Sequence, residues 1–263
     1  LLSNTIMDDQ IAIELSRRQS PAHLIRLNYG RSSAMMQYVA SLFEGNPRLQ
    51  SLARIGMEPL LDQWLGGAPG VEQDVAIVTI PDLWMAAGYD AVPGRTMFTG
   101  ASPGEELPLD AMMNEARLFW NSLGDEIARS ETDDRVSGIT LNWIKVHSSK
   151  VANNLGVLMD EQGRSAYAFS CYQQARLFEP ENLSALMNMH VLAQREGWPE
   201  LQDLEDELVV KTKDLTGRIQ PVSLAAVYGF VRVPELFVNR GLSFAMSGKA
   251  DLAIRDMKRA LSL

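Results

Sequence analysis

The side chains best suited to chemistry follow the short apolar runs in the N-terminal third of the chain. Asn4, Asp8 and Asp9 come after the first run, and Ser102 lies in the Gly/Pro-rich loop after the fourth. Carboxylates can hold a metal ion or a sugar hydroxyl, and a glycine-rich loop exposes backbone N–H groups to an anion. A simpler interpretation places Asp8 and Asp9 in the first turn of a helix, where they oppose its positive dipole end. The sequence favours this interpretation and keeps a polar ligand site at these four residues as the alternative.

Sequence motifs of nucleotide, metal and nucleophilic sites are missing. No glycine-rich dinucleotide fingerprint follows a strand, and a P-loop lysine does not exist because the first lysine is Lys145. The three histidines, His23, His147 and His190, lack the i, i+4 spacing of a metal pair. Cys171 is the single cysteine, and no histidine is placed beside it. We therefore expect no metal and no cofactor, name no catalytic residue, and leave open whether the chain is an enzyme.

Composition limits the partners that the chain can have. With 263 residues and 46% hydrophobic content, it can bury a substantial core. The net charge of -9, with no basic run longer than a pair, argues against nucleic acid. No apolar stretch approaches the ~20 residues of a membrane-spanning helix, so we expect no direct membrane insertion.

The two ends of the sequence suggest that the chain is a fragment of a longer protein. The chain opens on an apolar run, without an initiator methionine or a signal peptide, and closes inside a predicted helix. The compartment stays open, because a cytoplasmic or an extracytoplasmic domain of a membrane-anchored protein would both fit.

The N-terminal region alternates strand-like and helix-like segments. Strands are predicted over residues 1–5, 23–28, 75–80 and 95–99, and helices over 8–18, 33–43, 47–53 (extending weakly toward 64) and 82–88. This order is typical of a small parallel, Rossmann-like sheet covered by helices, because parallel strands need crossover connections. We therefore predict an α/β domain over 1–105, followed by two connecting helices within 106–148, at about 110–129 and 134–147.

The strongest signal in the sequence is an internal repeat beginning near residue 149. Two amphipathic helices are predicted, separated by a glycine turn and ended by a proline. Small residues in both helices would let them approach closely, so Ala168 should be fully buried. The residues that carry the pattern are Leu155, Gly156, Gly163, Ala168, Tyr172, Ala175 and Pro180. This segment resembles a tetratricopeptide repeat (TPR), with Ala152 where that family usually has a large aromatic residue.

The pattern returns twice. Thirty-four residues after Asn154 and Gly163 come Asn188 and Gly197, and a third unit starts near Pro234. The TPR-like domain therefore covers 149–263, with units at 149–182, 183–233 and 234–263. The middle unit is degenerate, with an insertion expected around 210–220, and the third is truncated.

The resemblance implies that the chain recognises a protein or peptide in a groove lined by the first helix of each pair. By helical phase this groove carries Lys150, Asn153, Val157, Asp160, Ser184, Met187, Val191 and Gln194, then Glu235, Val238, Leu242 and Met246. Val157 stands where the carboxylate-clamp subclass needs a polar residue, so chaperone tails are not expected. We expect the groove to be accessible; alternatively, the N-terminal domain or a further C-terminal helix fills it.

Two functions remain open on the sequence. The first is an interaction scaffold or adaptor that recruits a partner through the groove. The second is the soluble domain of a larger, membrane-associated cell-envelope enzyme, glycosyltransferase-like, with its polar ligand site on the α/β domain. Fold class alone does not choose between them.

Overall fold

A computed structural model of the chain describes residues 1–3, 5, 7–27, 32–67, 70–79, 81–133, 136–213 and 221–261. It divides into two compact units, one of Leu1–Val92 with Met97–Glu106 and one of Pro93–Thr96 with Leu107–Leu263. The division falls beside the residue-105 boundary predicted from the Gly/Pro-rich stretch. Residues 93–96 belong to the second unit, where Arg95 pairs with Glu115 at 2.9 Å.

The N-terminal segment up to residue 101 contains six helices and four short strands among its described residues. The helices are α1 (Asp8–Arg17), α2 (Ser33–Ser41), α3 (Pro47–Ile55), α4 (Met57–Gly67), α5 (Val71–Asp74) and α6 (Asp82–Ala86). The strands are β1 (Leu2–Ser3), β2 (Ile25–Arg26), β3 (Asp90–Gly94) and β4 (Met97–Ala101). Asn46 caps α3 by accepting the Leu49 N–H at 3.1 Å, as its position before Pro47 favours.

The sheet is smaller and more mixed than predicted. β1 and β2 are parallel, with Leu2 opposite Ile25. The predicted strand at 75–80 is reduced to Ile77, which bridges Leu2 in parallel and Phe98 of β4 in antiparallel orientation. The expectation that all four strands run parallel is thus wrong for the last one. Only Arg95 and Thr96 separate β4 from β3, and so short a connection can join only antiparallel strands.

From Leu107 onward, all the regular secondary structure among the described residues is helical. The helices are α7 (Leu109–Glu131), α8 (Gly138–Glu161), α9 (Ser165–Phe178), α10 (Leu183–Glu196), α11 (Leu201–Thr212), α12 (Pro221–Tyr228), α13 (Pro234–Met246) and α14 (Ala250–Leu261). The second predicted connecting helix and the first repeat helix are in fact one helix, α8, because no glycine or proline interrupts residues 147–150. Residues 214–220, within the predicted insertion, lie outside the described residues.

α8 and α9 approach each other closely at Gly156. A methyl group at this position would lie 2.6 Å from Tyr172 Cδ1 and 3.1 Å from the Ala168 carbonyl oxygen. Ala168 and Tyr172 are fully buried, so the predicted burial of Ala168 is confirmed. The same close approach recurs between α13 and α14. A methyl group at Gly241 would lie 3.3 Å from the Ala253 carbonyl oxygen.

His147 contacts Thr96, another residue of the second unit. Its ring is buried, stacks on Trp143 at a centroid distance of 4.8 Å, and lies with Nε2 2.8 Å from the Thr96 carbonyl oxygen. Burial, together with a smaller effect of the positive charge of Lys150, lowers the pKa of His147 from its ordinary 6.5 to about 4, against the raising effect of the Thr96 hydrogen bond. The folded protein therefore holds a neutral imidazole that donates from Nε2.

The Gly156 contact can be tested with a matched pair of glycine substitutions. Gly156→Ala should lower the free energy of unfolding by ~1–3 kcal/mol, because the added methyl group meets Tyr172 and backbone. Gly124→Ala, inside α7, meets nothing within 4 Å among the described residues and should raise stability by ~0.5–1 kcal/mol. Urea denaturation measures both. Equal effects of the two substitutions would contradict the close approach.

His147 should make stability depend on pH. The pKa of His147 is lower in the folded than in the unfolded chain, so the unfolded chain binds more protons between pH 6.5 and 4. The contribution of the neutral His147 ring to the free energy of unfolding is therefore complete above pH 6.5 and is lost as pH falls through about 4. The loss should amount to about 3 kcal/mol. His147→Gln, which keeps a donor for Thr96 without titrating, should flatten this part of the stability profile relative to wild type. An unchanged pH profile would contradict the buried neutral ring.

Candidate functional site

The described strand-end residues of the first unit, Asp8, Asp9 and Ser102, are engaged in local contacts. Asp8 is buried and accepts hydrogen bonds from Ser3 Oγ at 2.6 Å and from the Thr5 N–H at 3.3 Å. Asp9 is exposed and pairs with Arg26 at 2.6 Å. Both aspartates form the first turn of α1, as the simpler interpretation predicts.

The other two residues of that alternative add nothing to it. Ser102 is exposed, and its N–H donates to Glu105 Oε2 at 2.9 Å within its own loop. Asn4 lies outside the described residues. The first unit does contain an open cleft of about 730 Å³, lined mainly by α1, His23 and Tyr38. Asp8, Asp9 and Ser102 are not among the described residues that line this cleft.

Metal-binding and nucleophilic chemistry find no support among the described residues. These contain no cluster of three or more His, Cys, Asp or Glu side chains able to hold a metal ion. Burial raises the pKa of the Cys171 thiol to about 12, and its sulfur lies 3.6 Å from Met113 Sδ. This cysteine is a core residue rather than a nucleophile.

The α8 face predicted to line the groove is covered by another segment of the same chain. The α8 residues expected to be accessible, Lys150, Asn153, Val157 and Asp160, are 8%, 0%, 7% and 6% exposed. The expectation of an open face is therefore wrong for α8. The alternative in which the groove is filled names the N-terminal domain or a further C-terminal helix, whereas the segment that covers this face is residues 226–232, which comprise the last turn of α12 and the connection to α13.

Three asparagines bind the main chain of Phe230. Its N–H donates to Asn154 Oδ1 at 2.7 Å, and its carbonyl accepts from Asn153 Nδ2 at 2.9 Å and from Asn188 Nδ2 at 2.8 Å. Asn188 Nδ2 also donates to Asn153 Oδ1 at 3.0 Å, which holds the two carboxamides together. Side-chain amides here satisfy both backbone polar groups of one residue outside regular secondary structure.

The next contacts fix the direction of the segment. The Arg232 N–H donates to Asn188 Oδ1 at 2.8 Å, so Asn188 spans two residues of the segment. The Arg232 guanidinium forms a buried ion pair with Asp160, which also pairs with Arg195 at 2.5 Å. Because Asp160 is buried between two arginines, its carboxylate selects a basic side chain at this end of the groove.

The other end of the segment is held through its carbonyl groups. Asn182 Nδ2 donates to the Tyr228 carbonyl at 3.2 Å, and Lys150 Nζ donates to that of Ala226 at 2.8 Å. Asn182 also caps α10, accepting the Ala185 N–H at 2.8 Å. Contacts with α8 and α10 thus run along the segment from Ala226 to Arg232.

Gly229 allows the chain to enter the groove. Its φ of +95° lies in the region that side chains disfavour. A methyl group there would lie 2.5 Å from Asn154 Oδ1 and 2.7 Å from Asn153 Nδ2. Position 229 therefore excludes any side chain on two independent grounds.

The segment is an incomplete match for the groove. Asn154 Nδ2 is buried and has no hydrogen-bond partner among the described residues. The same holds for Arg232 Nε and for Ser184 Oγ, on the helix face that the repeat register assigns to the groove. Such orphaned polar atoms cost free energy, on the order of 1–3 kcal/mol each.

The remaining predicted groove residues are more open. Met187 and Val191 of α10 are half-buried, and Gln194 is exposed. On α13, Val238, Leu242 and Met246 form an exposed apolar stripe one helical turn apart.

Sequence reasoning named Asn154 and Asn188 only as markers of the repeat register. The signal was present, because a polar residue recurring at the repeat period on a first helix marks the inner surface of the stack. Asn182 and Gly229 had no such signal. Their roles depend on where residues 226–232 return to α8 and α10.

Comparison with known proteins leaves the chain without a family assignment. No family model matches the sequence, and neither does any curated protein. Within the described part of the chain, no helix has the length and apolar character needed to cross a membrane.

The contribution of Asn188 to stability can be compared with that of an exposed asparagine in the same unit. Asn188→Ala removes a buried carboxamide that makes bonds to Phe230, Arg232 and Asn153, so it should lower the free energy of unfolding by ~2–4 kcal/mol. The control Asn142→Ala, at an exposed position of α8, should change stability by less than ~0.5 kcal/mol. Thermal and urea denaturation would measure both. A similar small change for the two variants would contradict the hydrogen-bond network described here.

Proposed function

We propose that the chain is a protein–protein interaction scaffold whose second unit, a TPR-like helical repeat, binds an extended peptide between α8 and α10. The observation that carries this proposal is the main-chain binding of Phe230 by Asn153, Asn154 and Asn188. A groove that binds backbone amides accepts an extended segment regardless of most of its side chains, and charged pockets then add selectivity.

The repeat geometry supports the TPR part of the proposal. In two helix pairs a glycine on the first helix faces the carbonyl of an alanine on the second, Gly156 with Ala168 and Gly241 with Ala253. Gly163 and Gly248, with φ of +70° and +73°, end the first helices of these two pairs. Repeated small-residue contacts of this kind fit a stacked helical array with an inner binding surface.

The N-terminal α/β unit, with its small mixed sheet, would dock or regulate the scaffold. The alternative function, a glycosyltransferase-like envelope enzyme, needs the strand-end aspartates free for a ligand. Asp8 is instead bonded to Ser3 and Thr5, and Asp9 to Arg26, so the contacts favour the scaffold.

The proposal is tested by emptying the groove and supplying a peptide in trans. Gly229→Ala in the full chain should expel residues 226–232, because the added methyl group meets the Asn153 and Asn154 carboxamides. A labelled peptide of residues 226–233, Ala-Val-Tyr-Gly-Phe-Val-Arg-Val, should then bind at least ~10-fold tighter than to wild type, whose groove is filled. Fluorescence anisotropy measures the binding.

Two controls isolate the groove. Gly197→Ala adds the same methyl group at a similar positive φ with nothing within 4 Å among the described residues, and it should bind peptide no better than wild type. Adding Asn188→Ala to Gly229→Ala should weaken binding by ~10-fold or more. If a folded Gly229→Ala chain and a folded Arg232→Ala chain both fail to bind the peptide, the proposed function is wrong.

A further inference from the structure

Resting on the proposed function, we propose that residues 226–232 are a displaceable built-in competitor. The partner they stand in for is an extended peptide segment with glycine, a large apolar residue, a small aliphatic residue and a basic residue in succession. The filled groove is then the resting state of the scaffold. A partner carrying this pattern would take the place of Gly229, Phe230, Val231 and Arg232.

The polarity of the groove is the first argument. A surface buried for stability alone is usually apolar, because buried polar groups gain little over well-packed hydrophobic ones. The faces of α8 and α10 that meet the segment are instead polar, with Lys150, Asn153, Asn154, Asp160 and Asn188. These polar positions can be hydrated when the segment leaves, which lowers the free-energy cost of opening the groove.

The imperfect fit of the segment is the second argument. Asn154 Nδ2 and Ser184 Oγ, both buried, have no hydrogen-bond partner among the described residues. A resident segment optimised for permanent packing would satisfy or eliminate such atoms. A peptide arriving from a partner is free of the connections to α12 and α13 and can place its own polar groups against them.

The order of residues in the competing peptide follows from the contacts. Glycine is required at the first position, because a methyl group there would lie 2.5 Å from Asn154 Oδ1. The second side chain has an open choice of large apolar groups, since only the backbone of Phe230 is bound by the asparagines and its ring lies 5.3 Å from the Arg240 guanidinium. A small aliphatic residue fits the fully buried place of Val231.

The last position requires positive charge. Asp160 is buried and pairs with Arg232 inside the groove, and an acidic side chain at that place would put two carboxylates together. Arg195 alone, itself partly exposed, would remain to balance Asp160. Charge complementarity therefore selects a basic residue and rejects an acidic one.

Hydrogen exchange of the full wild-type chain, followed residue by residue by NMR, tests displacement. The probes are the 226–233 peptide and a matched peptide with glutamate in place of the residue corresponding to Arg232. An excess of the first peptide should speed exchange of the chain's own Phe230 and Arg232 amides at least ~10-fold, while the amides of Leu155 and Leu186 keep their protection. The glutamate peptide should need at least ~10-fold higher concentration for the same effect.

Four results would overturn the inference, each in its own way. Phe230 and Arg232 amides that exchange only together with Leu155 and Leu186, with or without peptide, would show that the segment is a permanent part of the fold. Equal displacement by both peptides would remove the requirement for a basic residue. If the peptide binds the Gly229→Ala chain yet displaces nothing from wild type, the competitor idea fails while the proposed function stands. Failure to bind either chain removes both.

Discussion

The hydrogen-bonding requirement of one buried carboxamide, that of Asn188, organises the centre of the second unit. Buried away from water, this group must find partners for its donor and acceptor atoms within the protein. It finds them in Asn153 on α8 and in the main chain at Phe230 and Arg232. Because these partners come from two helices and a returning segment, Asn188 ties three distant parts of the chain together. The position of the returning segment, and hence the start of α13, depends on this arrangement.

The asparagines can meet only because the helix pairs are closely packed. Gly156 lets α8 lie against Tyr172 and the Ala168 carbonyl oxygen, which turns the opposite face of α8 toward α10. The segment that fills this face also reaches the third helix pair, since the Phe230 ring lies beside Arg240, which forms a buried ion pair with Asp256 at 2.5 Å. Occupancy of the groove and the attachment of α13 and α14 are therefore physically linked. In the proposed scaffold, replacement of the segment by a partner would change the contacts of the third helix pair, α13 and α14.

The helices and the groove position were predictable from the sequence to different degrees. Helical periodicity and the Gly156–Ala168 spacing are local signals, so α8, α9 and the burial of Ala168 could be read directly. The repeat register places Lys150, Asn153 and Asp160 on one surface. It does not predict which segment covers that surface, because residues 226–232 carry no periodic pattern of their own. The mixed sheet was missed for a similar reason. The two-residue connection at Arg95 and Thr96 reverses the chain, and Pro93, inside the short strand β3, argues against a strand at that position.

The central claim is that side-chain amides of α8 and α10 bind the main chain of the returning segment. Its most direct test is the hydrogen-exchange rate of the Phe230 amide in Asn154→Ala, which removes the acceptor lying 2.7 Å from that nitrogen. The account predicts exchange at least ~10-fold faster at Phe230, with the Arg232 amide, which donates to Asn188, much less affected. An unchanged rate at Phe230 in a folded Asn154→Ala chain would contradict the account.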